Sequence, residues 1–256
     1  MTTGGFSRKQ LLDEEQILKL PSLSNNDAIE IGQIAVTLGS QRKLPIAIEV
    51  RIGDWIVFHA SLEGSKPEND WWINRKVAVV ILNQHSTMFE RVSAEERSVD
   101  WHKENGVIDE ELILKLPSLS NNDAIEIGQI AVTLGKQRKL PIAIEVRIGD
   151  WIVFHASLEG SKPENDWWIN RKVAVVMLNQ HSTMFERVSA EERGTDWHKE
   201  NGVTDETHAI HGGAIPLITD EGFKGILIIS GLPQVEDHLL AVEVLTEFLA
   251  RKGELL

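Results

Sequence analysis

Residues 13–108 recur as residues 109–204 at a constant offset of 96 positions. Only six pairs differ: Gln16/Leu112, Ser40/Lys136, Ile81/Met177, Ser98/Gly194, Val99/Thr195 and Ile108/Thr204. The stretch that follows, from His211-Gly212-Gly213 onward, occurs once. The chain therefore reads A–A′–B, two copies of a front part sharing one back part. A′ with B spans 109–256, a modal domain length with enough chain for a core. A alone, 13–108, lacks the closing part, and 1–12 reads as a polar leader.

The formal charge of −13 and the absence of any Lys/Arg run longer than two argue against nucleic acid as a partner. The same charge argues against anionic lipid. With no cysteine, disulfides, thiolate zinc sites and cysteine nucleophiles are excluded together. Neither a signal-peptide core nor a run of 18 apolar residues is present, so the expected protein is soluble and cytoplasmic, with no membrane span.

The pattern of each front copy predicts a sequence of elements. Asp13–Leu20 and Asp109–Leu116 read as a short helix stopped by Pro21 or Pro117. In the second copy, Ser118–Asp123 offers N-caps for a helix with Ala124, Ile127, Ile130, Ala131 and Leu134 on one face, Gly135 being the expected C-cap. Then IAIEVRI and WIVFHASL flank Gly149-Asp150, a Gly-first hairpin turn with one face buried and the other partly wet. The same hairpin surrounds Gly53-Asp54. A helix of about four turns follows Asn165-Asp166; its second half is apolar nearly all round, which places it mid-fold. Residues 182–207 read as a charged loop. In B, Gly212–Ile218 and Lys224–Ser230 form a second hairpin, and Pro233 opens a last helix with Glu236 and Asp237 in its first turn. The expected total for A′B is a four- or five-stranded antiparallel sheet with packed helices, an α+β fold.

Three motifs then carry a resemblance. Asn165-Asp-Trp-Trp-Ile-Asn-Arg171-Lys172, His211-Gly-Gly, and Ile229-Ser-Gly-Leu-Pro-Gln-Val-Glu236-Asp-His238 resemble the haem-degrading-domain family (GlcG/HbpS-like), in its branch of uncharacterised small cytosolic proteins. The resemblance covers roughly 105–250. It implies a profilin-like antiparallel sheet flanked by helices, assembly into homo-oligomers, and haem or another tetrapyrrole as a ligand of some relatives, with no established activity for this branch. The first copy keeps Asn69–Lys76 but is not followed by its own HGG or SGL–EDH motif.

Each motif admits two readings. Asn165 or Asp166 caps the helix or faces a ligand. Arg171 and Lys172 form a cationic pocket, or pair with Glu236 or Asp237 and tie A′ to B. Trp167 and Trp168 are core or subunit-contact residues, or Trp168 stacks on a ligand. Gly212 and Gly213 admit close approach of a ligand or of another backbone. His211, with His208 three positions before it, is a weak metal or haem-iron candidate. His238 is a general acid/base or ligand, or is held by an acidic neighbour. No nucleophile elbow, P-loop, dinucleotide fingerprint or zinc-protease helix is present. The leading reading is a homo-oligomeric binding module for a small ligand or a protein partner. The rivals are an enzyme using Arg171, His211, Glu236 and His238, and a protein-interaction scaffold without a pocket.

A must also be covered or paired, since its sheet edge and apolar helix face have no B of their own. A′ reaches B through about 25 residues and A through about 120, which favours A′ by roughly 1.5 kcal/mol of loop-closure entropy.

Overall fold

The computed structural model describes residues 23–81 and 114–253. The first copy contributes α1 (Asn25–Gln41), β1 (Ala47–Ile52), β2 (Trp55–Ser61) and α2 (Glu68–Ile81). The second contributes α3 (Asn121–Arg138), β3 (Ala143–Ile148), β4 (Trp151–Ser157), α4 (Pro163–Asn179), α5 (Thr183–Arg193) and α6 (Trp197–Asn201). B adds β5 (Ala214–Thr219), β6 (Gly222–Ser230) and α7 (Gln234–Lys252).

Identical sequence gives identical local structure. Ser24 and Ser120 N-cap α1 and α3, each in a reciprocal capping box with Asp27 or Asp123 that satisfies two orphan backbone donors. Gly135 does not end α3, as its position suggested; the helix runs on to Arg138 and stops at Lys139, whose φ is 54°. Gly135 is instead a packing position, because a Cβ there would lie 2.3 Å from Leu158 Cδ1. The hairpin turns fall at Gly53 and Gly149 as expected, with φ of 63° and 60°.

The sheet has six strands in the order β1-β2-β4-β3-β6-β5, all antiparallel; A′B supplies four of them, as expected. The extra strands come from A, whose β2 pairs with its own duplicate β4: Phe58↔Ala156, His59↔His155, Ala60↔Phe154. With the offset of 96, the His59–His155 pair sits on a local two-fold, and everything across the seam is reciprocal. Asn25 donates to Ser157 O at 3.1 Å while Asn121 donates to Ser61 O at 3.0 Å. Trp55 Nε1 donates to Asp166 at 2.9 Å while Trp151 Nε1 donates to Asp70 at 2.8 Å. Phe58 and Phe154 meet edge to face at 5.6 Å.

One face of the sheet carries α1, α3 and α7 over a core that includes Ile127, Phe154, Leu227, Val244 and Phe248. On the other, Ile169, Val173 and Val176 of α4 cover Ala143, Ala214, Ile226 and Ile228. α4 covers much of the second face of β3, so Glu145 is 4% exposed there while Arg147 stays half-buried. The end of α4 emerges from the fold instead of staying inside it, exposing Met177 and Leu178.

Two further expectations are corrected. Residues 182–207 are not a loop throughout: Ser182 caps α5, Asp196 caps α6, and Gly194 and Gly202 end them in the left-handed region. Leu114–Leu116 is irregular rather than helical; Leu116 N–H donates to Ile218 O at 2.8 Å and lies along the outer edge of β5. The helix expected at 13–20 and residues 109–113 fall outside the described residues. At the opposite edge, β1 has no further strand beside it among the described residues.

Candidate functional site

The motifs 165–172, 211–213 and 236–238 converge where α4 crosses the start of β5 and of α7, but they divide into an inner and an outer group. The inner group is a buried ion pair. Lys172 Nζ lies 2.9 Å from Asp237 Oδ2 and donates to Ile229 O at 3.0 Å. Asp237 Oδ1 accepts the N–H of Leu232 at 3.0 Å. Burial pushes the Asp237 carboxyl above the ordinary range, with the Lys172 ammonium acting against that rise. Gly213 has to be glycine here: its φ is 116°, and a Cβ would sit 2.4 Å from Ile229 O and 3.0 Å from Lys172 Nζ. A Cβ on Gly212 would likewise meet Gln234 O at 2.4 Å. These glycines let backbone approach backbone, and Lys172, Asp237 and the fully buried His238 form the joint between A′ and B.

The outer group is aromatic and cationic, its cation Arg171 lying only 3% exposed beneath the indoles. The Arg171 guanidinium lies 4.2 Å from the Trp167 ring centroid and 4.4 Å from that of Trp168. Its partner is Asp205, with Nη2 2.8 Å from Oδ2 and a further bond to the Asp205 carbonyl, and not Glu236. Glu236 is exposed on α7 and stands outside the group. His211 is half-buried and packs against Trp168 at 5.0 Å. Trp167 is 52% exposed, so it is not a core residue. His208 bonds Thr207 at 2.8 Å, and burial with the nearby His198 lowers its pKa. No group of three or more His, Cys, Asp or Glu side chains among the described residues could hold a metal ion.

Asn165 and Asp166 part company. Asn165 Oδ1 accepts the Lys162 N–H at 2.8 Å, a helix-start role, and its amide donates to Ser230 O at 3.2 Å. Asp166 turns to the A–A′ seam, where it meets the Trp55 indole and lies 3.6 Å from His155 Nε2. This seam holds a constellation that the motif reading missed. Ser157 Oγ is 3.0 Å from His155 Nε2, whose Nδ1 is 3.2 Å from Glu145 Oε2, and Arg147 Nε is 2.5 Å from Glu145 Oε1. The order Ser–His–carboxylate has the form of a nucleophilic relay. Ser157 is fully enclosed, however, and no substrate reaches it. Burial opposes charge on both partners, yet their mutual hydrogen bond and Arg147 hold Glu145 below the ordinary carboxylate range. Glu145 and Asp166 together hold His155 above the ordinary imidazole range. The available signal was Glu145, Arg147, His155 and Ser157 recurring on one face of the hairpin at alternate positions.

Comparisons with known proteins agree with this architecture. The UPF0303 protein of Streptomyces avermitilis is 39% identical over 139 residues, covering 54% of this chain and 85% of the relative. A UPF0303 protein of Schizosaccharomyces pombe is 34% identical over 152 residues, covering 58% and 85%. The crystal structure of the Ybr137w protein superposes with a TM-score of 0.51 at 28% identity, covering 56% of this chain and 85% of that one. Each match spans little more than half of this chain because each relative has the length of one unit. The family model of HbpS-like haem-degrading proteins matches twice, over residues 23–113 and 119–246. On that double match, the chain belongs to the HbpS-like haem-degrading protein family.

Proposed function

We propose that this chain is a binding module for a haem-like tetrapyrrole, working as a homo-oligomer, with its ligand held on the outer surface of α4 at His211, Trp168 and Arg171. The observation that carries the reading is the meeting of three chemistries within one patch. There is a half-buried imidazole at 5.0 Å from an indole, and a guanidinium packed on the same indole pair. These residues fit the group: the imidazole would supply a nitrogen donor to iron, the indole an apolar wall and the guanidinium a partner for a carboxylate. A bound haem would supply an iron centre and a planar apolar ring. Asp205 holds Arg171 from a largely exposed position, its side chain 62% accessible against 4% for Arg171, so a ligand carboxylate would have to take its place as counter-ion to a buried guanidinium. Lys172, Asp237 and His238 remain in the internal joint and shape the patch without facing it. Because His211 lies in B, the reading gives one such patch per chain although the front part is doubled.

Titration of the full chain with haem tests this. The expected result is a Soret band saturating at one haem per chain, lost in His211→Ala and kept in His208→Ala, with unchanged circular dichroism in both variants. No spectral change at micromolar haem, or a band indifferent to His211→Ala, would overturn the reading.

A further inference from the structure

The two front copies differ most in what covers them. On α3, Ile127 and Ile130 are 0% and 2% exposed because α7 packs over them. Their duplicates on α1 lie open: Ile31 is 39% exposed and Ile34 53%, and Leu38, one turn on, is 45%. Ile34 and Leu38 line a shallow groove of about 300 Å³ along the helix with Glu30, Gln33, Thr37 and Gln41. Beneath it, β1 is a sheet edge with no further strand beside it among the described residues, whereas its duplicate β3 is flanked by β4 and β6. An apolar stripe above an open strand is a surface built to be joined.

We propose that a second copy of this chain occupies this face, joined β1 to β1 about a two-fold axis normal to the sheet, a proposal resting on the homo-oligomeric reading above. Three observations select this occupant. The chain already pairs one front-part strand with its own duplicate, β2 with β4, so self-pairing of this unit is a geometry it adopts. Among the described residues, the other segment fitted to such a face, residues 214–252, occurs once per chain against two faces. Lending it to a neighbour would uncover Ile127 and Ile130 while covering Ile31 and Ile34, and gains nothing. β1–β1 pairing instead covers two open faces and exposes none.

Charge then picks the register. Centred on Val50, antiparallel pairing sets Glu49 of one copy opposite Arg51 of the other, twice, on one side of the sheet. On the other side it brings Ile48, Val50 and Ile52 together beneath the helices. Each α1 lies over a β1–β2 pair. With strands about 4.8 Å apart, the two α1 axes fall about 10 Å apart, at packing distance.

Sedimentation velocity of the full chain at tens of micromolar should give twice the 28.7 kDa chain mass. Ile34→Glu/Leu38→Glu, at exposed positions, should give the single-chain mass, while Met177→Glu/Leu178→Glu should leave the dimer unchanged. The chain has no cysteine, so Val50→Cys introduces a single thiol, and mild oxidation should cross-link it to its own copy in the dimer. A monomeric wild type, or a dimer insensitive to Ile34→Glu/Leu38→Glu, overturns the proposal. So does a dimer that Val50→Cys does not cross-link, the outcome expected if residues 214–252 are exchanged instead. Because His211 lies in B and not on α1, haem binding and dimerisation can fail separately; a monomeric wild type sinks the homo-oligomeric reading together with this proposal, whereas a dimer insensitive to Ile34→Glu/Leu38→Glu sinks this proposal alone.

Discussion

Replacing Lys172 by Met would test whether the α4–α7 joint is what holds B on the second front copy. The methionine keeps most of the apolar stem and removes the ammonium, leaving the Asp237 carboxylate with the Leu232 N–H but without its counter-ion at 2.9 Å. Both side chains are at most 3% exposed, so water cannot replace the lost charge. Breaking a buried pair from one side costs about 3–5 kcal/mol. A second route gives a similar figure. If the stranded carboxyl folds only when protonated, the cost at neutral pH is about 1.4 kcal/mol for each pH unit above its unfolded pKa of about 3.9, or about 4 kcal/mol. The sign follows from linkage. The variant's folded carboxyl has a raised pKa, so the folded form holds a proton that the unfolded chain releases. Stability is therefore lost as pH rises above about 4 and is regained on acidification. Urea unfolding followed by circular dichroism should show Lys172→Met less stable by about 4 kcal/mol at neutral pH, recovering about 2.7 kcal/mol two units lower. Lys172→Met/Asp237→Asn should recover most of the loss at both pH values. A single variant within about 1 kcal/mol of wild type, a loss independent of pH, or a double variant no better than the single one would refute the reasoning.

Two more predictions concern the seam and the glycines. Trp55→Phe removes the indole donor to Asp166 and should weaken the A–A′ seam by about 2 kcal/mol, read as faster amide exchange at 58–60 and 154–156 with β5–β6 unaffected. The same amides should lose protection on the alkaline side. His155 has a raised folded pKa, so its stabilisation is complete below the ordinary imidazole value of about 6.5 and is lost as pH rises through the folded one; His155→Gln should abolish that dependence. Gly213→Ala should cost several kcal/mol in a thermal or urea melt, through both its φ of 116° and contact with Ile229 O. Gly149→Ala, with φ of 60° and open space around it, should cost only about 1 kcal/mol.

How much of this was legible in sequence depends on the range of the interaction. The capping boxes at Ser24 and Ser120, the hairpin turns at Gly53 and Gly149 and the first turn of α7 are set by residues within four positions of each other. The three motifs were found by resemblance, and the pairing of Lys172 with Asp237 was one of two readings left open. What sequence did not deliver was set by partners far along the chain. Gly135 had the form of a C-cap, and only the Leu158 side chain shows that it is a contact. One of the two readings of Arg171 paired it with Glu236 or Asp237, but the segment 195–207 folds back and offers Asp205. Residues 182–207 read as a loop because apolar periodicity was weak, though Ser182, Gly194, Asp196 and Gly202 mark both helices by cap chemistry. The His155 constellation went unseen because Glu145 and Arg147 read as a wet face, which β6 and α4 enclose.

The duplication explains the seam better than any single contact does. An interface about a local two-fold needs a strand complementary only to itself, and any duplicated unit then meets a partner that already fits. The six differences between the copies spare that strand entirely: none lies in Trp55–Ser61 or its duplicate Trp151–Ser157. Tethering the two copies removes the translational cost that separate molecules would face, so modest reciprocal contacts suffice. Each indole reaches the other copy's Asp, and each Asn reaches the other copy's backbone. The same logic leaves a residue of the problem at β1. Pairing β2 with β4 closes one edge of the first copy, and the single B closes an edge of the second, so the β1 edge and the apolar stripe of α1 remain open among the described residues. One closing part cannot cover two front parts within one molecule, but β1 of one copy set against β1 of another would cover both leftover edges at once.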